Sequence, residues 1–139
     1  MGYVTQEELA TRFGADELIA IADRDRDGTA DPAVIEQAIT DASAEIDSYL
    51  GTRYSVPLDE APAAVKSACA DIARYRLMDE RPLDEVTKRY DSAIRFLRDV
   101  ATGRASLGIT QTQGVEAAPF VYAATPTERT FNRDTLANY

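Results

Sequence analysis

Pro62-Ala-Ala-Val-Lys-Ser-Ala-Cys-Ala-Asp-Ile-Ala-Arg-Tyr-Arg-Leu-Met78, a break through Asp79-Glu-Arg-Pro82, and the run from Leu83 to Gly103 decide the fold. In the first run Val65, Cys69, Ile72 and Arg76 recur at helical spacing, with Ala68 and Tyr75 beside them. In the second, Val86, Tyr90, Ala93, Leu97 and Val100 do the same, flanked by Ile94 and Ala101. Steps of three and four residues place each set on one stripe of an α-helix. A connection this short turns the second helix back along the first, which predicts an αα-hairpin. The hairpin carries no catalytic grouping and reads as the scaffold of the chain.

The chain has 139 residues, enough for one domain with a modest core and an arm. It lacks the ~20-residue apolar run of a membrane span, and its start carries no basic–apolar–small leader. A single cysteine, Cys69, fits a reducing cytosol and reads as a plain buried thiol. There is no histidine, which excludes Ser-His and Cys-His catalysis and the commonest zinc ligand. No glycine-rich phosphate loop is present. The net charge of −9 is unevenly spread. Residues 1–60 hold four arginines against fourteen acids, residues 61–108 nine bases against seven acids, and residues 109–139 two against three. Such an acidic first half is unsuited to sequence-independent nucleic-acid binding and suits a surface that DNA must pass without sticking.

Toward the N-terminus, Thr5-Gln-Glu-Glu8 is a capping box that opens a helix ending at Gly14. Asp16 is expected to cap a second short helix, Glu17 to Ala22. Then comes Asp23-Arg-Asp-Arg-Asp-Gly-Thr-Ala-Asp31. Its aspartates at relative positions 1, 3, 5 and 9, with glycine at 6, match the front of an EF-hand-type loop, so Asp23, Asp25, Asp27, Thr29 and Asp31 are candidate Ca²⁺ ligands. The bidentate glutamate due at position 12 is absent: Val34 stands there, Glu36 comes two residues late, and no second loop follows. Against the metal reading stands a polar turn in which Asp31 caps the next helix and Pro32 fills its first position.

Ala33 to Leu50 is amphipathic, with Val34, Ile35, Ala38, Ile39, Ala42, Ile46, Tyr49 and Leu50 on one face. Its acids Glu36, Asp41, Glu45 and Asp47 are expected on the solvated side rather than as catalytic pairs. Thr52 to Leu58 is an extended linker whose Tyr54, Val56 and Leu58 alternate. The outer faces of the hairpin are expected to present Arg74, Arg81, Arg89, Arg95 and Arg98, which makes them candidates for contact with another copy's acidic half. After Gly103 the helical period stops. Phe120, Tyr122, Phe131, Leu136 and Tyr139 then punctuate a Thr- and Gln-containing arm, as expected of a segment that orders against a partner or neighbour; the alternative is that it folds back on its own helices.

Several blocks together resemble a known family. They are Tyr3-Val-Thr-Gln-Glu-Glu-Leu9, Asp23-Arg-Asp-Arg-Asp-Gly28, Ala44-Glu-Ile-Asp-Ser-Tyr-Leu50 with Arg53-Tyr54, Asp71-Ile-Ala-Arg-Tyr-Arg-Leu77, and Arg95-Phe-Leu-Arg-Asp-Val100 with Ala105-Ser-Leu-Gly108. Their order is similar to that of head–tail adaptor (connector, head-completion) proteins of Mu-like and other long-tailed phages and prophages. The resemblance implies a virion protein, assembled in the host cytoplasm, that forms a ring of about twelve copies between the portal and the next tail-side connector or stopper. DNA would pass through the ring without specific binding, and no cofactor or membrane would be needed. The expectation is thus an all-α bundle of four to five helices over residues 1–108, with residues 109–139 as an extended docking arm. The alternative is a calcium-dependent interaction module built on the Asp23–Asp31 loop.

Overall fold

In a computed structural model, which describes residues 2–79 and 81–109, the chain forms five α-helices. They are α1 (Gln6–Phe13), α2 (Ala15–Ala22), α3 (Pro32–Leu50), α4 (Ala63–Leu77) and α5 (Asp84–Ala101). No strand is present among the described residues, so the all-α expectation holds. The arm residues Phe120, Tyr122, Phe131, Leu136 and Tyr139 lie outside the described residues.

The three long helices make the core. α3 contributes Ile35, Ala38, Ile39, Ala42, Ile46 and Leu50, α4 contributes Val65, Ala68, Cys69, Ile72 and Ala73, and α5 contributes Ala93, Ile94, Leu97 and Val100. Alanines on α3 and α4 let those two helices approach closely while isoleucines fill the space between. α1 and α2 cover the remaining side through Leu9, Leu18 and Ala22. The hairpin closes near its turn where the Tyr75 and Tyr90 rings stack with centroids 4.1 Å apart.

Helix boundaries follow local chemistry, with two departures from expectation. The Thr5–Glu8 capping box is present in both directions, Glu8 N–H donating to Thr5 Oγ1 at 3.2 Å and Thr5 N–H to Glu8 Oε2 at 2.9 Å. Asp16, however, does not cap α2. Gly14, at φ +94°, serves as both the end of α1 and the start of α2, and Asp16 lies inside the first turn. Asp31 occupies the N-cap position of α3 with Pro32 behind it, yet its side chain makes no cap bond. Its Oδ2 instead accepts Arg24 N–H at 2.9 Å, drawing the ends of the loop together.

The linker after α3 is more deeply built in than an extended connector needs to be. Tyr54 is only 2% exposed and is the largest fully buried side chain among the described residues. Its hydroxyl accepts Leu107 N–H at 3.2 Å. The neighbouring Arg53 guanidinium donates to the carbonyls of Val100 at 3.0 Å and Ala105 at 3.5 Å, satisfying acceptors at the C-terminal end of α5. Arg53 and Tyr54 therefore fasten residues 105–107 to the bundle.

Candidate functional site

The surface is rich in charge, and part of it is spent inside the subunit. The basic residues of α4 each reach an acid of the N-terminal half. Lys66 meets Glu8 at 3.0 Å, Arg74 meets Glu17 at 2.5 Å, and Arg76 meets Glu45 at 2.7 Å. These pairs bind α4 to α1, α2 and α3 in turn. The expectation that Arg74 faces outward is therefore corrected. Its side chain is 11% exposed, and its guanidinium lies 4.6 Å from the centre of the Phe13 ring.

The acids of α3 are committed likewise, against the solvated role expected of them. Glu45 accepts Arg76 through one oxygen and the Tyr90 hydroxyl at 2.9 Å through the other, joining α3, α4 and α5. Asp47 accepts the Tyr3 hydroxyl, and that hydroxyl accepts Leu58 N–H at 3.0 Å. Asp41 accepts Gln37 at 2.9 Å. Only Glu36 of the four stands fully exposed. Sequence periodicity assigns a face correctly here but misses the partners of Glu45 and Asp47, because those come from residues 31 to 45 positions away.

Burial, then the Glu45 hydrogen bond, raises the Tyr90 phenol to about 12. Burial and the Asp47 bond raise Tyr3 in the same direction. The unfolded chain ionises its tyrosines near the ordinary value of 10.0, so their contribution to stability is fully present below pH 10 and is lost as pH rises toward 12. Unfolding free energy measured by denaturant titration should fall across that window, and Tyr90→Phe should make the fall shallower. Burial raises the Cys69 thiol as well, and Ser43 Oγ lies 3.5 Å from its sulfur. This is an inert packed thiol, as its place in the sequence predicts.

Two charged features remain open to solvent. The first is the loop between α2 and α3, where Asp23, Asp25 and Asp27 each place a carboxylate oxygen within 4.8 Å of the others. The chain reaches this convergence by folding on itself. Asp23 accepts N–H groups of Asp27 at 3.1 Å and Gly28 at 2.9 Å, and Asp25 accepts Asp27 N–H at 3.1 Å. Arg26 at φ +61° and Gly28 at φ +87° allow the tight path. Thr29 gives both its N–H and its hydroxyl to Asp27, at 2.8 and 2.6 Å, which lowers the Asp27 carboxyl. Asp31 is turned to Arg24 and stands apart from the three converging carboxylates, and Val34 packs on the core. Of the predicted ligand set, Asp23, Asp25 and Asp27 bring carboxylates together, and Asp31 accepts Arg24 N–H. The N–H and hydroxyl of Thr29 donate to Asp27, which leaves the Thr29 carbonyl, the atom expected to face the cation, out of these bonds.

The second feature is the outer face of the hairpin. Arg81, Arg95 and Arg98 are exposed and make no ion pair among the described residues, and Lys88 is in the same state. Arg89 is partly committed, at 3.4 Å from Glu85 and 4.0 Å from Asp71. Exposed pairs of that kind contribute little to stability, so the α5 arginines are held there at no structural need. The residue that sequence reasoning missed is Arg53, whose position beside Tyr54 in a linker gives no sign of a helix-capping role.

The described residues thus form a helical domain whose α4 cations are paired within the chain, with acidic and basic groups left exposed. Its relationships in sequence are specific. The profile of the family described as Bacteriophage Mu, Gp36 matches residues 3–121, and the chain belongs to that family. The Mu-like prophage FluMu protein gp36 of Haemophilus influenzae is 41% identical over 107 residues, covering 77% of this chain and 76% of the relative. Gene product J of Escherichia phage Mu is 36% identical over 110 residues, covering 78% of each. This is therefore a protein of Mu-like phages. None of its described helices is long and apolar enough to cross a membrane.

Proposed function

We propose that the protein is a head–tail adaptor subunit, assembling as a ring of about twelve copies between the portal and the next tail-side connector. The role is structural, in the virion, with no catalytic step. Membership of a Mu phage family supplies the setting. The observation that carries the reading is the surplus of exposed charge left after the internal pairs are made. Arg95 and Arg98 project from α5, and Asp25 and Asp27 from the α2–α3 loop, whose Arg24 reaches Asp79 at the hairpin turn beside Arg81. Cyclic assemblies are built from heterologous contacts between unlike patches on one subunit, and unlike charge steers such patches into register. In this reading residues 109–139 dock on the portal or on the next ring, and the acidic surface lets DNA slide through. Co-expression with the portal of the same phage, followed by negative-stain microscopy, tests it. Rings that co-purify with the portal support the proposal; a protein that stays monomeric and unbound beside an intact portal contradicts it.

The convergence of Asp23, Asp25 and Asp27 favours a second reading, in which Ca²⁺ occupies the loop and orders an interaction surface. Three carboxylates suit a hard cation, but the missing bidentate acid and the diverted Asp31 leave the ligand set short. A site of this kind belongs with the weak extracellular modules, at about 10⁻⁴–10⁻³ M. Isothermal titration in millimolar Ca²⁺ should show binding that Asp25→Asn removes; absence of both heat and thermal shift would end this reading.

A further inference from the structure

Where the hairpin turn comes up against α2 and the start of α3, two open clefts of about 380 and 460 Å³ share Arg24 and Leu77 in their walls. Val34 lines the first, and Ile21, Met78 and Leu83 line the second. Leu83 is 62% exposed, the one large hydrophobic side chain left so open among the described residues. We propose that this surface receives α5 of a second copy of the chain, with that copy's Arg95 and Arg98 against the acidic side of the clefts. The proposal rests on the adaptor reading and gives it a subunit contact.

Three observations carry the assignment. The first is Leu83 itself. It occupies the N-cap position of α5 and makes no side-chain cap bond, where Ser, Thr, Asp or Asn would serve the helix better. A leucine here is open to water and of no help to its own helix. With Ile21, Leu77 and Met78 it makes an apolar strip, the kind of surface that marks a protein contact.

The second is charge. The clefts are lined by the acids Asp23, Asp41 and Asp79 and by the cations Arg24, Arg76 and Arg81. Arg24 is paired with Asp79, and Arg76 with Glu45. Against Asp23 and Asp41 this leaves Arg81 as the lining cation without an ion pair among the described residues. Asp25 adds to the acidic side, with a carboxylate oxygen within 4.8 Å of one of Asp23, and the exposed Asp84 follows Leu83. An apolar centre with an acidic surround fits a basic helix. The chain carries one: from Lys88 to Arg98, α5 holds four bases against the single acid Asp91.

The third is position. Leu83 and Arg95 stand about 18 Å apart along the α5 axis. The receiving surface and the inserted one therefore do not overlap, and a copy that receives one neighbour keeps its own arginines for another. Such a head-to-tail contact passes from copy to copy, as a ring requires, instead of pairing two copies about a twofold axis.

The full chain co-expressed with the portal of the same phage tests it, read by native mass spectrometry and negative-stain microscopy. Leu83→Ser removes the apolar contact but gives α5 a better N-cap, so the melting temperature should hold or rise while the rings are lost. Arg95→Glu with Arg98→Glu should lose the rings too, and adding Asp25→Lys and Asp84→Lys to that variant should bring them back. Rings formed equally well by Leu83→Ser overturn this seat and leave the adaptor reading standing. So does a fourfold variant that keeps its helical circular dichroism yet fails to restore them. A parent protein that forms no ring beside an intact portal overturns both. Assembly that stops at a dimer overturns the head-to-tail contact.

Discussion

Replacing Tyr54 with alanine is expected to remove about 3–5 kcal/mol of folding stability, the usual cost of deleting a buried aromatic. In a domain of this size that is a large share of the total. The reason is positional. Tyr54 follows α3, is 2% exposed, and packs as the largest fully buried side chain among the described residues. Its hydroxyl also holds Leu107 N–H, so the deletion opens a cavity and frees the root of the arm together. Tyr54→Phe keeps the ring and should cost only about 1 kcal/mol, leaving the Leu107 amide to water. Urea midpoints of the three proteins measure the difference. Equal losses for both variants would mean that the hydroxyl, not the ring, carries the effect. A negligible loss for Tyr54→Ala would contradict the assignment of this linker to the core.

Reversing the two exposed arginines of α5, Arg95→Glu with Arg98→Glu, should abolish assembly while leaving the subunit folded. Neither side chain forms an ion pair among the described residues, so each change should shift stability by no more than about 0.5 kcal/mol. An assembled contact is a different matter, because placing like charges across it costs several kcal/mol. Repeated around a ring, that penalty prevents closure. Native mass spectrometry of the double variant beside the parent protein reads the result. Arg74→Glu is the contrasting change: it strands Glu17 and the Phe13 contact, and should lower stability before it touches assembly. Rings formed equally well by the Arg95/Arg98 variant would place the subunit contact elsewhere.

The helical architecture was readable from the sequence because its evidence is local. Val65, Cys69 and Ile72, or Val86, Ala93, Leu97 and Val100, declare their helices by spacing alone, and all are buried. The Thr5–Glu8 capping box lies within one turn and was equally legible. Partnership was not. The acidic first half and the basic hairpin pointed to attraction between copies, yet Glu8, Glu17 and Glu45 meet Lys66, Arg74 and Arg76 of the same chain. Composition counts charges without saying which subunit supplies the partner. At Asp31 a strong local preference lost to a longer-range one. The N-cap position is occupied, but the carboxylate closes the loop through Arg24 N–H instead. The same competition bears on the EF-hand resemblance, since three of the proposed carboxylates converge while Asp31 is held by Arg24 N–H.

What the internal pairing leaves is a narrower surface than the sequence promised. The α4 helix is taken up as scaffold, held on one side by α3 and tied by its own cations to α1 and α2. In the adaptor proposal, outward contacts are assigned to the α5 arginines, the aspartate loop and residues 109–139. These are the parts on which the adaptor proposal depends.

The most direct test is made in the phage itself, by inducing a prophage that carries an early stop codon in this gene and examining the lysate by electron microscopy. The account predicts filled heads and complete tails accumulating separately, with joining restored when the protein is supplied in trans. Heads already joined to tails in the absence of the protein would contradict it.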